Sequence, residues 1–517
     1  MPNLTQSTFY KCTIHFPDYS VYPYTKRDLS NIISIKKAVK LLTHEFNICS
    51  GTCKYKDINF TFIFNGEELQ LVPPSDKRET ILTEWLLTAI APGAYTVRTS
   101  LTMDEPYLIG TCNETNSTFI FIARQGGHIG SQNFVLLVPI IAYIECRYNS
   151  VSIARMSFTS PVINCIHPVT KGFGCTLDRK DFTERGIFTV TTQSFNETTT
   201  VPQSFMVDDR PVSVNFSISS RLNIKLDEPP LILESAMNFE FDPTNDYYFI
   251  FRLWSVAKQF LQYLCYRKNI YLPEVALYTS TDKGGYEKFA TMYVLNEDGD
   301  DEPSTLKSGR YIKQMLLVGA EGKILSDIAS SSLYLRHLPQ TYRSGRTIDA
   351  ARFVMITAAF EWEYRRNFPD GAPKTESQLK AETAVAHEIE ESINNSKGKK
   401  RKIYKFLSRL VKSNSLESEI VHIGKVIDDI IGVFGKNLYR LNEEELSYSE
   451  MGKRLSSQRN HYAHGDLDQG FIGLSLLDLM YMEYIIYAIQ LNHYGIDAKH
   501  IRCAINDLFH LNYALPS

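Results

Sequence analysis

The sequence predicts an α+β protein of several domains: a β-rich, sandwich- or barrel-like N-terminal module over residues 1–245, a small mixed α/β segment over 246–340 packed on it, and an all-α domain over 341–517. At 517 residues the chain exceeds what one ordinary core accommodates, so two to four domains are expected. In PVSVNFSISSRLNIKL, the residues Val212, Val214, Phe216, Ile218, Leu222, Ile224 and Leu226 all fall on even positions, the period of a strand or hairpin with one buried face. From Arg343 onward strand-like runs vanish, proline occurs only at 369, 373 and 516, and apolar residues recur at helical spacing.

Within the first module, short runs rich in Val, Ile, Phe, Tyr and Thr alternate with Gly, Pro, Asn and Asp clusters. Gly126, Gly127 and Gly130 follow STFIFIAR without the helix a phosphate loop requires, so they read as a hairpin turn. Near residue 246 the period changes: Ile250, Leu253, Trp254, Ala257, Phe260, Leu261 and Leu264 form the stripe of an amphipathic helix. Two strand-like runs, EVALYT and ATMYVL, then flank turn-rich TDKGG, and NEDGDDEP at 296–303 reads as an exposed turn. In the all-α part the periodicity predicts helices over 346–368, 376–396, 399–413, 416–434, 443–464, 471–495 and 498–510. No repeat of 20 to 50 residues is visible.

Lys plus Arg is 55 and Asp plus Glu is 58, a formal charge of -3, which excludes a global field driving the chain onto nucleic acid or an anionic membrane. The longest apolar run, Phe134 to Ile144, is far short of a bilayer span, and MPNLTQSTFYK lacks a basic region followed by an apolar core. A soluble, cytoplasmic protein without membrane contact is expected. Nine scattered cysteines fit reduced thiols, which makes the Asn-x-Ser/Thr triplets at Asn113 and Asn196 coincidental. Cys165, His167 and Cys175, with Cys146 or the Cys49/Cys53 pair, could be assembled into a zinc site. Paired CxxC knuckles are missing, so buried thiols and a surface histidine are expected, with neither metal nor cofactor. Walker, HExxH and serine-hydrolase signatures are absent from the sequence.

The stretch SQRNHYAHGD, residues 457–466, sits at the end of the helix expected over 443–464. Asn442 with Glu445 resembles a helix-starting cap, and Gly465 stands where a left-handed residue ends a helix. The apolar stripe of this helix is thin: Tyr448, Met451, Leu455 and Tyr462. Arg459 falls on that stripe, where a guanidinium is costly unless an anion or a partner surface meets it. Asn460 and His464 are four apart on another face, and His464 occupies the last turn, where the helix dipole favours imidazolium. An acid beside a fixed cation suits phosphate chemistry. A structural reading stays open, in which Arg459 pairs with Glu361 or another core acid, Asn460 caps a carbonyl, and His464 is an ordinary C-terminal helix residue.

The run RNHYAHG, followed by the apolar GLSLLDLMYMEYIIYAIQL, resembles the signature of the HEPN family of helical ribonuclease domains: Arg, usually Asn, then His four to six residues on. Upstream, RFVMITAAFEWEYRRNF is similar to the first long helix of the ApeA-like anti-phage HEPN proteins, which also place a β-rich sensor module before the helical domain. The resemblance implies a metal-independent endoribonuclease in which a 2′-hydroxyl attacks the adjacent phosphate and leaves a cyclic phosphate end. Carried over, His464 is the general acid or base, Arg459 stabilises the phosphorane charge, Asn460 orients the histidine or phosphate, and Glu361 on the first helix orients Arg459 or His464. His461 falls off the family spacing and is expected to point to solvent; Glu363 competes with Glu361 for the acidic role.

Five positions along an ideal helix rotate by about 140°, so Arg459 and His464 do not face the same way on one chain. HEPN domains typically dimerise with such helices face to face, which implies a homodimer with a composite site. Tyr448, Met451, Leu455 and Tyr462 are candidates for its seam, and a contact within the chain is an equally open reading for them.

Between Lys397 and Lys412 lie eight basic residues and no acid; Lys399, Lys400, Arg401, Lys402, Lys405 and Arg409, with Tyr404 and Phe406 interleaved, are candidates for an RNA-backbone track. A solvated basic face is the alternative. Altogether the resemblance implies an abortive-infection ribonuclease whose N-terminal module senses a phage-derived trigger. Two rivals remain: a non-catalytic HEPN scaffold that binds RNA or protein, and a polysaccharide-binding β-module carrying a helical dimerisation domain.

Overall fold

Alternating apolar residues build the first half of the chain in a computed structural model, which describes residues 48–89, 100–101, 107–124, 127–129, 135–147, 152–176, 189–222, 229, 231–295, 309–412, 415–463 and 470–515. Its first strands are β1 (Cys49–Tyr55), β2 (Ile58–Phe64) and β3 (Glu68–Val72), then helix α1 (Arg78–Ala89). There follow β4 (Ser100–Leu101), β5 (Tyr107–Cys112), β6 (Thr118–Ala123), β7 (Gly127–Ile129) and β8 (Leu136–Cys146). Strands β8, β3, β2, β1, β5 and β6 pair in that order, all antiparallel, and β6 returns to β8, so this part of the sheet closes into a barrel without free edges. Phe62, Phe64 and Phe121 fill it, with Phe121 edge-on to the other two at centroid distances of 5.2 and 5.0 Å. Gly51 makes room for them, since a Cβ there would lie 2.6 Å from the Phe62 ring.

Strand β8 also pairs with a second, open sheet. Its members are β9 (Ile153–Thr159), β12 (Gln203–Val207), β13 (Arg210–Leu222), β14 (Leu231–Thr244), β15 (Glu274–Ser280) and β16 (Tyr286–Val294). Between β9 and β12 lie α2 (Pro161–Ile166), α3 (Phe195–Thr198) and a separate ribbon of β10 (Phe173–Thr176) and β11 (Thr189–Thr192). The order β12-β13-β14-β9-β15-β16-β8 shows that the strands EVALYT and ATMYVL do more than pack on the first module: they are hydrogen-bonded into it, between β9 and β8. On β13, Val212, Val214, Phe216 and Ile218 are buried as their alternation requires. Leu222, at the strand end, is 83% exposed, so the apolar alternation outruns the buried face.

Helix α4 (Tyr247–Cys265) starts on Asp246, whose carboxylate accepts from Phe249 N at 3.0 Å, and every residue of its expected stripe is buried. After α5 (Glu321–Ala329) come α6 (Ala350–Asn367), α7 (Glu376–Asn394), α8 (Gly398–Lys412), α9 (Leu416–Val426), α10 (Asp428–Arg440), α11 (Tyr448–Ala463), α12 (Ser475–His493) and α13 (Ala498–Leu508). The single helix expected over 416–434 is two, broken at Ile427, and the second runs on to Arg440. The apolar α12 is buried around most of its circumference, the pattern of a central helix. Helices α7 and α8 pack on each other; α7 has no buried residue, and α8 exposes Ile403 and Phe406.

One apolar cluster runs from Met237 and Phe239 on the sheet through Phe260 on α4 to Phe360 on α6 and Ile486 on α12. Across residue 340 the packing is continuous: the rings of Tyr263 and Tyr487 stack with centroids 5.0 Å apart, and the Tyr487 hydroxyl donates to Tyr263 O at 2.7 Å. Among the described residues, no helix is long and apolar enough to cross a membrane.

Candidate functional site

The helix that carries Arg459 begins later than its sequence suggests. Asn442 closes the preceding helix instead, donating its side-chain amide to Leu438 O at 2.8 Å. Ser447 takes over the start of α11: its Oγ accepts from Glu450 N at 3.4 Å, and its carbonyl accepts the first helical bond, from Met451 N at 2.9 Å.

Along α11 the expected stripe turns inward. Met451 and Leu455 are fully buried, Tyr462 is nearly so and meets Phe353 edge-on at 5.3 Å, and the Tyr448 hydroxyl donates to Asp428 Oδ1 at 2.8 Å. These four side chains spend their apolar surface on the chain's own core. Of the two readings open for Tyr448, Met451, Leu455 and Tyr462, a seam between copies or a contact within the chain, the described contacts are those within the chain.

At the rim of that stripe Arg459 meets Glu361 on α6. Nη1 donates to Oε1 at 2.5 Å and Nη2 to Oε2 at 2.9 Å, a bidentate charge-assisted pair. The Arg459 side chain is 38% exposed and that of Glu361 12%, so the guanidinium reaches solvent while its carboxylate partner is held against the core. Arg365, one turn along α6, stands 3.8 Å from Glu361 Oε2. The anion that a guanidinium on an apolar stripe requires is therefore Glu361. The neighbouring Glu363 faces away: fully buried, it accepts from Tyr334 N at 2.9 Å and from Gln490 Nε2 at 3.1 Å, and pairs with Arg366 at 3.5 Å. Asn460 is exposed, and His461 is half-buried rather than turned out to solvent. His464 and Gly465 lie outside the described residues, as do Gly126, Gly130, Ile224, Leu226 and the acidic turn at 296–303.

Two polar groups fix the end of α11. Gln458, fully buried, accepts from Ile472 N at 2.8 Å and from Ser475 Oγ at 3.2 Å, tying the helix to the start of α12. Arg454 clamps Asp478 of α12 with Nε and Nη2 at 2.7 and 2.8 Å, and the Tyr439 hydroxyl donates to the same carboxylate. Each turn of α11 near Arg459 is thus anchored, which sets the guanidinium's position.

Sequence reasoning passed over Glu419. It lies on α9, 2% exposed, and its Oε2 has no hydrogen-bond partner. Burial and the Glu361 carboxylate push its pKa up to about 7, against the opposing pull of Arg365 and Arg459. The cluster therefore holds a carboxyl able to exchange a proton near neutrality beside a fixed cation. The available signal was an acid inside the apolar pattern Leu416, Ile420, Ile423. Three residues further along the same two helices, Tyr364 Oη and His422 Nδ1 are 2.6 Å apart. His422 lines a polar cleft of about 560 Å³ with Lys374, Lys425, Ser415 and Ser418.

On α8, Lys399, Lys400, Arg401, Lys402 and Lys405 are exposed, and the Lys400 ammonium lies 5.9 Å from the Tyr404 ring centroid. The Arg409 side chain falls outside what is described. Elsewhere, His167 is a buried histidine, not a surface one: Nε2 is 3.2 Å from Thr198 O and the ring lies against Phe216. Burial lowers its pKa. Comparison with protein-family models, curated proteins and solved structures finds nothing that matches this chain.

Proposed function

We propose that this chain is a metal-independent endoribonuclease of the HEPN type, acting in an abortive-infection response to phage, in which Arg459 stabilises the phosphorane formed when a 2′-hydroxyl attacks the neighbouring phosphate. The observation that carries the reading is the half-exposed guanidinium of Arg459, held in place by Glu361 at the end of a helix anchored on both sides. Glu361 occupies one N–H on each terminal nitrogen, and a phosphate oxygen would be received by the remaining donors of the guanidinium. In this reading Glu361 is a positioning residue, Asn460 orients the phosphate, His464 transfers the proton, and the exposed basic residues of α8 track the RNA backbone. A homodimer supplying a composite site would have to use surfaces other than the buried stripe of α11. The β-rich half is the trigger-sensing part by architectural analogy.

The bidentate pair also favours a second reading, a non-catalytic HEPN scaffold, since Glu361 neutralises the charge that catalysis would use. Labelled RNA incubated with the protein in EDTA separates the two. The nuclease should cut and leave cyclic phosphate ends, and Arg459→Ala should reduce cleavage by about 10²- to 10³-fold, the usual cost of one charge donor in the transition state. RNA bound but left intact by wild type and variant alike is the scaffold's outcome.

A further inference from the structure

One turn along α6 and α9 from Glu361 and Glu419, the polar cleft of about 560 Å³ opens between α9 and the start of α7. Its α9 wall is legible in the sequence: Ser415, Ser418, His422 and Lys425 recur at three and four, a polar stripe turned away from buried Leu416, Ile420 and Ile423. The opposing wall brings Lys374, which is already paired with Glu382 at 2.6 Å, so these two charges cancel. Behind His422 lies Tyr364, a fully buried side chain whose hydroxyl stands 2.6 Å from Nδ1 and makes no other hydrogen bond. Burial and the nearby Lys425 ammonium hold the imidazole's pKa below its ordinary 6.5, which keeps the ring neutral at pH 7. A neutral ring that accepts from the phenol at Nδ1 carries its one proton on Nε2, and the tautomer is assigned on that ground. The two ring nitrogens diverge, so Nε2 lies on the side away from Tyr364, where it has no hydrogen-bond partner and is not sealed from solvent. Lys425, on the same face of α9, is exposed and has neither an ion pair nor a hydrogen bond among the described residues.

Two unanswered N–H donors beside a cancelled ion pair call for an anion. The volume falls within the range of small-molecule sites, enough for a nucleotide unit and too little for a duplex. What adjoins the cleft favours a chain of anions over a single one. Helix α8 carries seven basic residues and no acid, and it ends at Lys412, three residues before Ser415. With successive Cα atoms about 3.8 Å apart, the end of α8 stands within roughly 11 Å of the cleft wall. An anion extended from the cleft towards α8 would keep meeting positive charge, which a lone phosphate would leave unused. We propose that this cleft binds the backbone of a single-stranded nucleic acid, one phosphate lying between His422 Nε2 and Lys425 Nζ and the strand continuing along α8. The proposal rests on the reading of α8 as a nucleic-acid track and needs no cleavage at Arg459.

Fluorescence anisotropy on the full chain tests this with a single-stranded oligoribonucleotide whose 2′-hydroxyls are all methylated, so that no 2′-oxygen can attack and cut it. Lys425→Ala should weaken binding about three- to tenfold and flatten the plot of log affinity against log salt by about 0.7, the counterion share of one single-strand phosphate. Lys288→Ala, at an exposed lysine on β16, should change neither. Ser418→Trp puts an indole into the cleft and should weaken binding at least about tenfold at every salt concentration, with Tm kept near that of wild type. AMP, a phosphate without a strand, should bind at least about tenfold more weakly than the oligonucleotide. The proposal is overturned if wild type fails to bind the oligonucleotide at low salt, if Lys425→Ala leaves the slope unchanged, or if AMP binds as tightly as the strand. Displacement of the strand by polyglutamate as readily as by unlabelled oligonucleotide also overturns it, since any polyanion would then do. Binding that Lys425→Ala weakens, in a protein that never cuts RNA, retires the nuclease reading and keeps the cleft. RNA cleavage with binding untouched by Lys425→Ala and Ser418→Trp does the reverse.

Discussion

At the scale of single residues, the region around Arg459 is a small charge balance with one member out of place. Arg459 and Arg365 answer Glu361, whereas Glu419 has been drawn into the same corner with no hydrogen bond to its Oε2. Its pKa, raised to about 7 in the folded chain from an ordinary 4.5, fixes the sign of its effect on stability. Between those values the folded state binds more protons than the unfolded state, so stability falls as pH rises through the window and the full penalty stands above pH 7. The difference corresponds to about 3 kcal/mol, reduced by whatever rearrangement the ionised form allows. Glu419→Gln removes the ionisation while keeping the shape. Urea midpoints measured against wild type should favour the variant at pH 8, with the gain shrinking towards pH 5. A difference that does not change with pH would show that Glu419 is already neutralised by another partner. If catalysis uses this corner, the same carboxyl also gives the cluster a proton reservoir at the pH where an imidazole works.

At the scale of elements, the corner exists because α9 and α11 cross closely. Gly452 lies at the crossing, and a Cβ there would stand 2.7 Å from Glu417 Cα, a backbone atom that cannot swing aside. Alanine at 452 would gain about 1 kcal/mol of helix propensity. Overpacking costs about 1 to 3 kcal/mol, and since the obstacle is backbone the loss should win. Gly452→Ala is therefore expected to lower the urea midpoint without changing the slope; a raised midpoint would mean the helices can slide apart freely. Helix existence was legible from sequence here, because Met451, Leu455 and Tyr462 keep helical spacing whatever they face. Two things were not. Asn442 and Ser447 each have a glutamate three residues downstream, so the pattern offers two helix starts, and the local bond from Asn442 to Leu438 O gives Asn442 to the end of α10. The destination of the stripe was equally hidden, since spacing defines a buried face but not whether the chain or a second copy covers it. Glu361 as the partner of Arg459 was within reach of sequence reasoning because a guanidinium on that face demanded an acid, and Glu419 escaped because a buried acid advertises itself only through its neighbours.

At the scale of the whole molecule, the three-part division suggested by periodicity records how segments are patterned, while packing joins them. Strands β15 and β16 complete the sheet begun before residue 246, and α4, which lies between β14 and β15 in sequence, reaches the helical part through Tyr263. Glu483 on α12 is a buried acid satisfied from two directions, by Arg352 of α6 and by Tyr266 just beyond α4, so a cut at residue 340 removes one of its partners. It would also uncover the face of Tyr487 that packs on Tyr263 and Tyr266 in the intact chain. The loss of one donor to a buried acid and the exposure of an aromatic face each destabilise an isolated helical unit. A fragment spanning 341–517 should consequently lose cooperative unfolding and bind an apolar dye, the behaviour of a loosely packed state, while in the full chain the open sheet and the helices should melt through their shared core as a linked unit. Calorimetry of both chains decides it. A fragment that unfolds sharply at the full chain's Tm would establish that the Tyr263–Tyr487 junction contributes little. The helical part would then be free to move against the sheet, as a sensing mechanism built on rigid-body displacement requires. A fragment that collapses instead places any communication between the two halves in the shared core, where small shifts of packed side chains, not hinge motion, would carry it.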